Sequence, residues 1–317
     1  MNDKVIILMA TYNGSKFLKE QIESIIYQSH PNWELWIRDD NSSDSTVEII
    51  RYYENSDSRI RLVKDLDGNI GVSNNFLKLL SLAALSDVNY FCFSDQDDVW
   101  VSNKIEKQLS FIKKNEYSKR AVLVHSDLEV VNDKLARIDA SFMNFLNIHH
   151  ENDNAISVLL TQNFVTGCTM MMNRELIDVA LPVSNQVVIH DWWLALCASA
   201  VGEIVYINQP MVKYRQHESN EVGIRSYAVL LNPFSKSWLI ALRDNRERLL
   251  TSILQAKELL GRIKVLNING ATVKKIHTYA YILQIPPSKR LKEVRRYAFS
   301  KQSFMRQLLF KLNLLTL

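Results

Sequence analysis

Two short apolar runs constrain the fold of this chain most. Residues 5–10 (VIILMA) and Tyr90–Ser94 (YFCFS) lack the polar alternation of a strand with one wet face. Both are far too short to span a membrane as a helix. Runs like these are strands buried on both faces, and they occur where helices cover both sides of a mostly parallel sheet. The intervening residues agree. Residues 15–29 set Phe17, Leu18, Ile22, Ile25 and Ile26 on one helical face, and 33–38 read as a second strand. A helix is expected over 46–55, a third strand over 59–63, a turn at 67–71 and a helix over 72–85. Beyond the second apolar run, Ile105, Leu109 and Ile112 mark another helix, and 121–131 returns to strand. Strand and helix therefore alternate through residues 1–130, the pattern of an α/β fold. Residues 131–224 are less regular, with a strand expected over 165–172 and a helix beginning at Asp191. Residues 225–317 read as mainly helical, with one long helix between Pro233 and Leu260.

In an open parallel sheet, ligands bind beyond the C-terminal ends of the strands. Three such ends are polar here: Thr11-Tyr12-Asn13, Asp39-Asp40, and Asp95-Gln96-Asp97-Asp98. Any one of these loops is accounted for by helix capping, which favours Asp, Asn and Ser. The last resists that reading. Three carboxylates in four residues repel one another unless a cation or bound donors offset the charge. Carboxylate oxygens suit Mn²⁺ or Mg²⁺, and an ion bridging a diphosphate would stabilise a departing nucleotide. Asp95 and Asp97 are the candidates for that task. The chain has only 8 glycines, with neither G-x-G-x-x-G nor G-x-x-x-x-G-K-[ST]. A dinucleotide-binding dehydrogenase and a P-loop NTPase are thereby disfavoured.

The ordered segments Ala10-Thr-Tyr-Asn-Gly14, Asp39-Asp-Asn-Ser-Ser-Asp-Ser-Thr46, Asn69-Ile-Gly71 and Ser94-Asp-Gln-Asp-Asp-Val-Trp100 resemble the motifs of inverting family 2 glycosyltransferases. Further on, His190-Asp-Trp-Trp193 resembles that family's acceptor-side acidic motif. Tyr214-Arg-Gln-His217 resembles the later histidine that completes its metal site. The resemblance covers residues 3–220 and is most similar to bacterial rhamnosyltransferases of polysaccharide and O-antigen assembly. It implies a GT-A fold, a Rossmann-like and mostly parallel sheet flanked by helices, here with a C-terminal helical extension. It also implies transfer from a dTDP- or UDP-linked sugar to a saccharide acceptor. Thr11, Tyr12 and Asn13 would line the nucleotide pocket, Asp40 would bind the base or ribose, and Asn69 would flank the base. Asp95 would face ribose and metal, with Asp97 and His217 as protein ligands of the ion. Asp191 would be the general base that takes the proton of the acceptor hydroxyl. Trp192 and Trp193 offer an apolar platform for a sugar ring; on the residues alone, Asp191 as a simple helix cap and both tryptophans as core is the plainer reading, and the resemblance turns the balance to the base. Trp100 either stacks on the sugar or packs beneath its loop, and Gly167 marks a close backbone approach or a bulge. No Q-x-x-R-W motif is present, so a non-processive enzyme is expected. A nucleotide-sugar-binding scaffold without turnover is the alternative.

Charge divides the chain. Residues 225–317 hold 18 Lys+Arg against 4 Asp+Glu, while 1–224 carry a charge of −10. Residues 291–310 interleave basic and apolar side chains, as a helix lying on an anionic membrane surface would. Packing against the catalytic body or against a second copy in a homo-oligomer is the other reading. No nucleic-acid-binding motif accompanies the charge, so nucleic acid is not expected as a partner. Three scattered cysteines and no signal peptide suggest a cytoplasmic protein at the inner membrane face, with a lipid-linked acceptor.

Overall fold

The structure is a computed structural model that describes residues 3–184, 187, 189–217, 236–263, 268 and 270–317, with side chains of 236–242 excepted. Among these residues the strands are β1 (Val5–Thr11), β2 (Trp33–Asp39), β3 (Ile60–Leu62), β4 (Tyr90–Ser94), β5 (Val99–Trp100), β6 (Val122–Val131), β7 (Arg137–Asp139), β8 (Met171–Asn173) and β9 (Glu203–Arg215). The helices of the first two thirds are α1 (Leu18–Ile26), α2 (Thr46–Ser56), α3 (Val72–Ala83), α4 (Lys104–Asn115), α5 (Phe142–Phe145), α6 (Ala155–Leu159), α7 (Arg174–Ala180) and α8 (His190–Val201). The rest are α9 (Lys236–Ile263), α10 (Gly270–Ala280), α11 (Pro287–Arg296) and α12 (Phe304–Thr316).

All strands join one sheet in the order β3-β2-β1-β4-β8-β6-β9-β5, with β7 alongside β6. β1, β2, β3 and β4 are mutually parallel, and β6 is parallel to β9. β8 runs antiparallel between β4 and β6. The two apolar runs form the centre, as expected. Along β1, Ile6, Leu8 and Ala10 enter one core cluster, and Val5, Ile7 and Met9 enter the other. Successive side chains point to opposite faces of a strand, so both faces must be covered. The first cluster lies under α3, α7, α8 and the C-terminal helices, the second under α1, α2 and α4. This is the GT-A-like architecture, with C-terminal helices.

Three expectations need correction. The strand over 165–172 shrinks to β8, because Gly167–Thr169 closes a 3₁₀ turn. The single helix over 291–310 is two: Ala298 has φ 53°, and Ser303 caps α12 by accepting from the Arg306 N–H. β9 was not foreseen, and it carries the Tyr214–His217 segment to the sheet edge. The boundary between 224 and 225 lies outside the described residues. The C-terminal helices share a core with the body: Leu249, Tyr279, Phe299 and Phe310 belong to the same cluster as β1 and β4.

Candidate active site

The loops after β1, β2 and β4 open at one edge of the sheet. β4 runs straight into the acidic loop Asp95–Asp98, and the end of β9 brings a histidine to it. His217 Nε2 lies 2.8 Å from Asp97 Oδ2, and its ring packs on Phe17 with centroids 5.0 Å apart. Asp95, Asp98 and Cys168 each offer a ligand atom within 4.8 Å of the others. Asp98 is fully buried; its Oδ1 accepts from the Arg215 N–H, and the Cys168 thiol lies against its carboxyl. Burial, then the charges of Asp97 and Asp95, hold its carboxyl well above the usual carboxylate range. A divalent cation fits this set: hard oxygens, one imidazole, and crowded negative charge that it would relieve. The loop is clamped from two sides. The Gln96 amide donates to Tyr12 O at 3.0 Å and accepts from the Tyr12 N–H at 2.9 Å, tying the acidic loop to the end of β1. A Cβ on Gly14 would stand 2.1 Å from Gln96 Oε1, so a side chain there would push the Gln96 amide off Tyr12. Arg215 is buried, donates from Nε to Asp97 O at 2.8 Å, and reaches Asp133 O and Glu20 through its other nitrogens.

On the nucleotide side, Tyr12 is half exposed and Asn69 is exposed. Asn13 has φ 47°, and its side-chain oxygen accepts from the Ser43 N–H, so it fixes the loop after β2. Two residues are placed differently from the expectation. Thr11 is buried and donates to Asp39 Oδ1 at 3.0 Å, so it ties strand ends together and lines no pocket. Asp40 is also buried, and both its oxygens are taken: Oδ1 accepts from Arg38 and the Ile70 N–H, Oδ2 from the Gly71 N–H. Its carboxylate thus holds the 69–71 loop in place from a buried position.

Asp191 stands in the first turn of α8, after the cap residue Ile189. Asn163 Nδ2 donates to its Oδ1 at 3.1 Å and the Gly167 N–H to its Oδ2 at 3.0 Å. Burial raises its carboxyl to about 6, against the pull of backbone N–H donors at Trp192 and Gly167. Gly167 makes its close approach to Asp191 and His190: a Cβ there would be 3.0 Å from His190 Nε2. The tryptophan platform does not form. Trp192 and Trp193 are buried, and their indole N–H groups donate to Leu159 O and Ala180 O. In a mostly apolar helix that is nearly wholly buried, large rings go to the core. Trp100 packs beneath its loop, with Lys104 Nζ 3.7 Å from its ring centroid. Gly167 and Cys168 are consecutive, so one turn touches both Asp191 and the acidic cluster. Gln96, Asn163, Cys168 and Arg215 were not singled out from sequence. Of these, Gln96 carried a signal in its place within the acidic segment, and Arg215 in its place two residues before His217.

A mostly parallel sheet whose acidic strand end is met by a histidine and a carboxylate-bearing helix, under a helical tail, defines a GT-A glycosyltransferase. The chain belongs to glycosyl transferase family 2, whose model matches residues 6–180. It is 31% identical over 228 residues to the dTDP-rhamnosyl transferase RfbG of Shigella flexneri, covering 68% of this chain and 73% of that protein. It is 30% identical over 227 residues to the UDP-Glc:alpha-D-GlcNAc-diphosphoundecaprenol beta-1,3-glucosyltransferase WfgD of Escherichia coli, covering 69% and 80%. Among solved structures, S. aureus TarS 1–349 in complex with UDP shares the fold at TM-score 0.52 and 15% identity, covering 99% of this chain and 89% of that one. The mannosyltransferase PcManGT of Pyrobaculum calidifontis, in complex with GDP-Man and Mn²⁺, does so at TM-score 0.54 and 16% identity, covering 96% and 77%.

Proposed function

We propose that this glycosyltransferase is inverting, metal-dependent and non-processive, and moves L-rhamnose from dTDP-L-rhamnose to a hydroxyl of a lipid-linked saccharide in bacterial surface polysaccharide synthesis. The turn at Gly167–Cys168 carries the reading, because it contacts both Asp191 and the acidic cluster. Asp191 accepts the acceptor proton: Asn163 and the Gly167 N–H fix its orientation, and a carboxyl near 6 is a stronger base than an exposed aspartate while still ionised at neutral pH. Asp95, Asp97 and His217 would hold Mn²⁺ or Mg²⁺, which when bound neutralises charge on the leaving diphosphate. Similarity to RfbG supports the donor. A UDP-sugar is the second reading, favoured by similarity to WfgD. The enzyme would work at the inner face of the cytoplasmic membrane.

The test is calorimetric titration of dTDP, UDP, GDP and their sugar conjugates with Mn²⁺ or Mg²⁺, on wild type, Asp97→Ala and Asp191→Asn. Metal-dependent binding of one nucleotide class, lost in Asp97→Ala and kept in Asp191→Asn, is the expected result. Transfer by Asp191→Asn should then fall by about 10²–10⁴-fold. Binding of no nucleotide with either metal would refute the site.

A further inference from the structure

α12 is apolar on two opposite sides. Leu309, Phe310 and Leu314 face the core and dock the helix. On the other side Phe304, Leu308, Leu312 and Leu315 follow one another at helical spacing and form a single outward stripe. Phe304 is 83% exposed and the three leucines are 37–41% exposed. Helices that are apolar all round are normally covered all round.

Charge around the stripe selects what covers it. Lys311 flanks it on α12, and the neighbouring α11 exposes Lys289, Lys292, Arg295 and Arg296. Arg248 and Arg306 lie close enough to Lys301 to add to the burial that lowers its ammonium to about 8. Glu293 is the one acid in residues 271–317. A second copy would set the same positive field against this one and be repelled. An anionic bilayer attracts that field and takes apolar side chains into its interfacial layer. We propose that the outer face of α12 is a docking surface for an anionic phospholipid bilayer, with Phe304, Leu308, Leu312 and Leu315 as the inserted residues. No described helix is long and apolar enough to cross a membrane, so this contact is a surface one. It deepens the proposed function by giving the lipid-linked acceptor a place to be met. Its test needs neither donor nor acceptor, so the two fail separately.

The experiment floats the full chain with vesicles of phosphatidylcholine alone, or with phosphatidylglycerol as roughly a third of the lipid. Wild type should bind the anionic vesicles only, and less as salt rises. The triple variant Phe304→Ser/Leu308→Ser/Leu312→Ser should bind about tenfold less with an unchanged thermal melt. Charge reversal at exposed positions, Lys292→Glu/Arg295→Glu, should weaken binding likewise. Wild type that ignores anionic vesicles, or either variant binding as well as wild type, overturns the proposal. So does a wild-type dimer in light scattering that the triple variant converts to monomer.

Discussion

His190 and Asp191 are neighbours whose surroundings move their protonation in opposite senses. Burial, with Phe76 stacked 4.4 Å from the ring, lowers His190 to about 3, while burial raises Asp191 to about 6. His190 therefore removes stability as pH falls below 6.5, because the unfolded chain takes up its proton first. Asp191 has the opposite sign: between about 6 and 3.8 the folded chain binds the proton more tightly, and stability rises on acidification. In wild type the two effects oppose each other over that window. Asp191→Asn deletes only the second. Urea melts at pH 6.5 and 4.5 should show the variant losing stability more steeply than wild type on acidification. Parallel losses in both proteins would mean that Asp191 is not buried in the folded chain.

At the scale of elements, the acidic loop depends on β9, a strand whose polar middle hides it from a hydrophobic pattern. Asn208, Gln209 and Pro210 interrupt the run, and proline argues against an interior strand. The fold accepts Pro210 because it pairs with Asp127 at a register shift between β6 and β9, where no ladder N–H is needed. The buried strands β1 and β4 were legible because two-sided burial leaves an unbroken apolar run. The Asp97–His217 pair was legible through motif order. The Cys168 and Asn163 contacts were not, since they arise from a turn that brings distant residues together without any periodic trace. Arg215 is the element's structural link. Arg215→Met would strand the carbonyl of Asp97, at about 1–3 kcal/mol if it is left unpaired away from water, whereas the exposed Asp133 can turn to water and the half-exposed Glu20 pair adds little. Urea denaturation should report a loss of about 1–3 kcal/mol, with weaker metal-dependent nucleotide binding. An unchanged melt would show that the guanidinium does not clasp the loop.

For the whole molecule, the family match ends at residue 180, yet the core does not. Val294, Phe299, Leu309, Phe310 and Leu314 are each at most 3% exposed, and all but Leu309 fall in the cluster that also holds Ile6, Leu8 and Phe91. Burying such a side chain contributes about 1.5–3 kcal/mol, so five of them account for roughly 8–15 kcal/mol before entropy is set against it. A folded domain has a net stability of only about 5–15 kcal/mol. Removing α11 and α12 would both forfeit this burial and leave an apolar wound on α9, which in turn packs against α8, the helix that carries Asp191. A chain ended after Ile285 should therefore lose cooperative thermal unfolding and bind a hydrophobic dye such as ANS, in contrast to the full chain. Retention of a sharp transition would detach the basic helices from the catalytic core and make them an appendage. Loss of it would make the same helices part of the support of the candidate base.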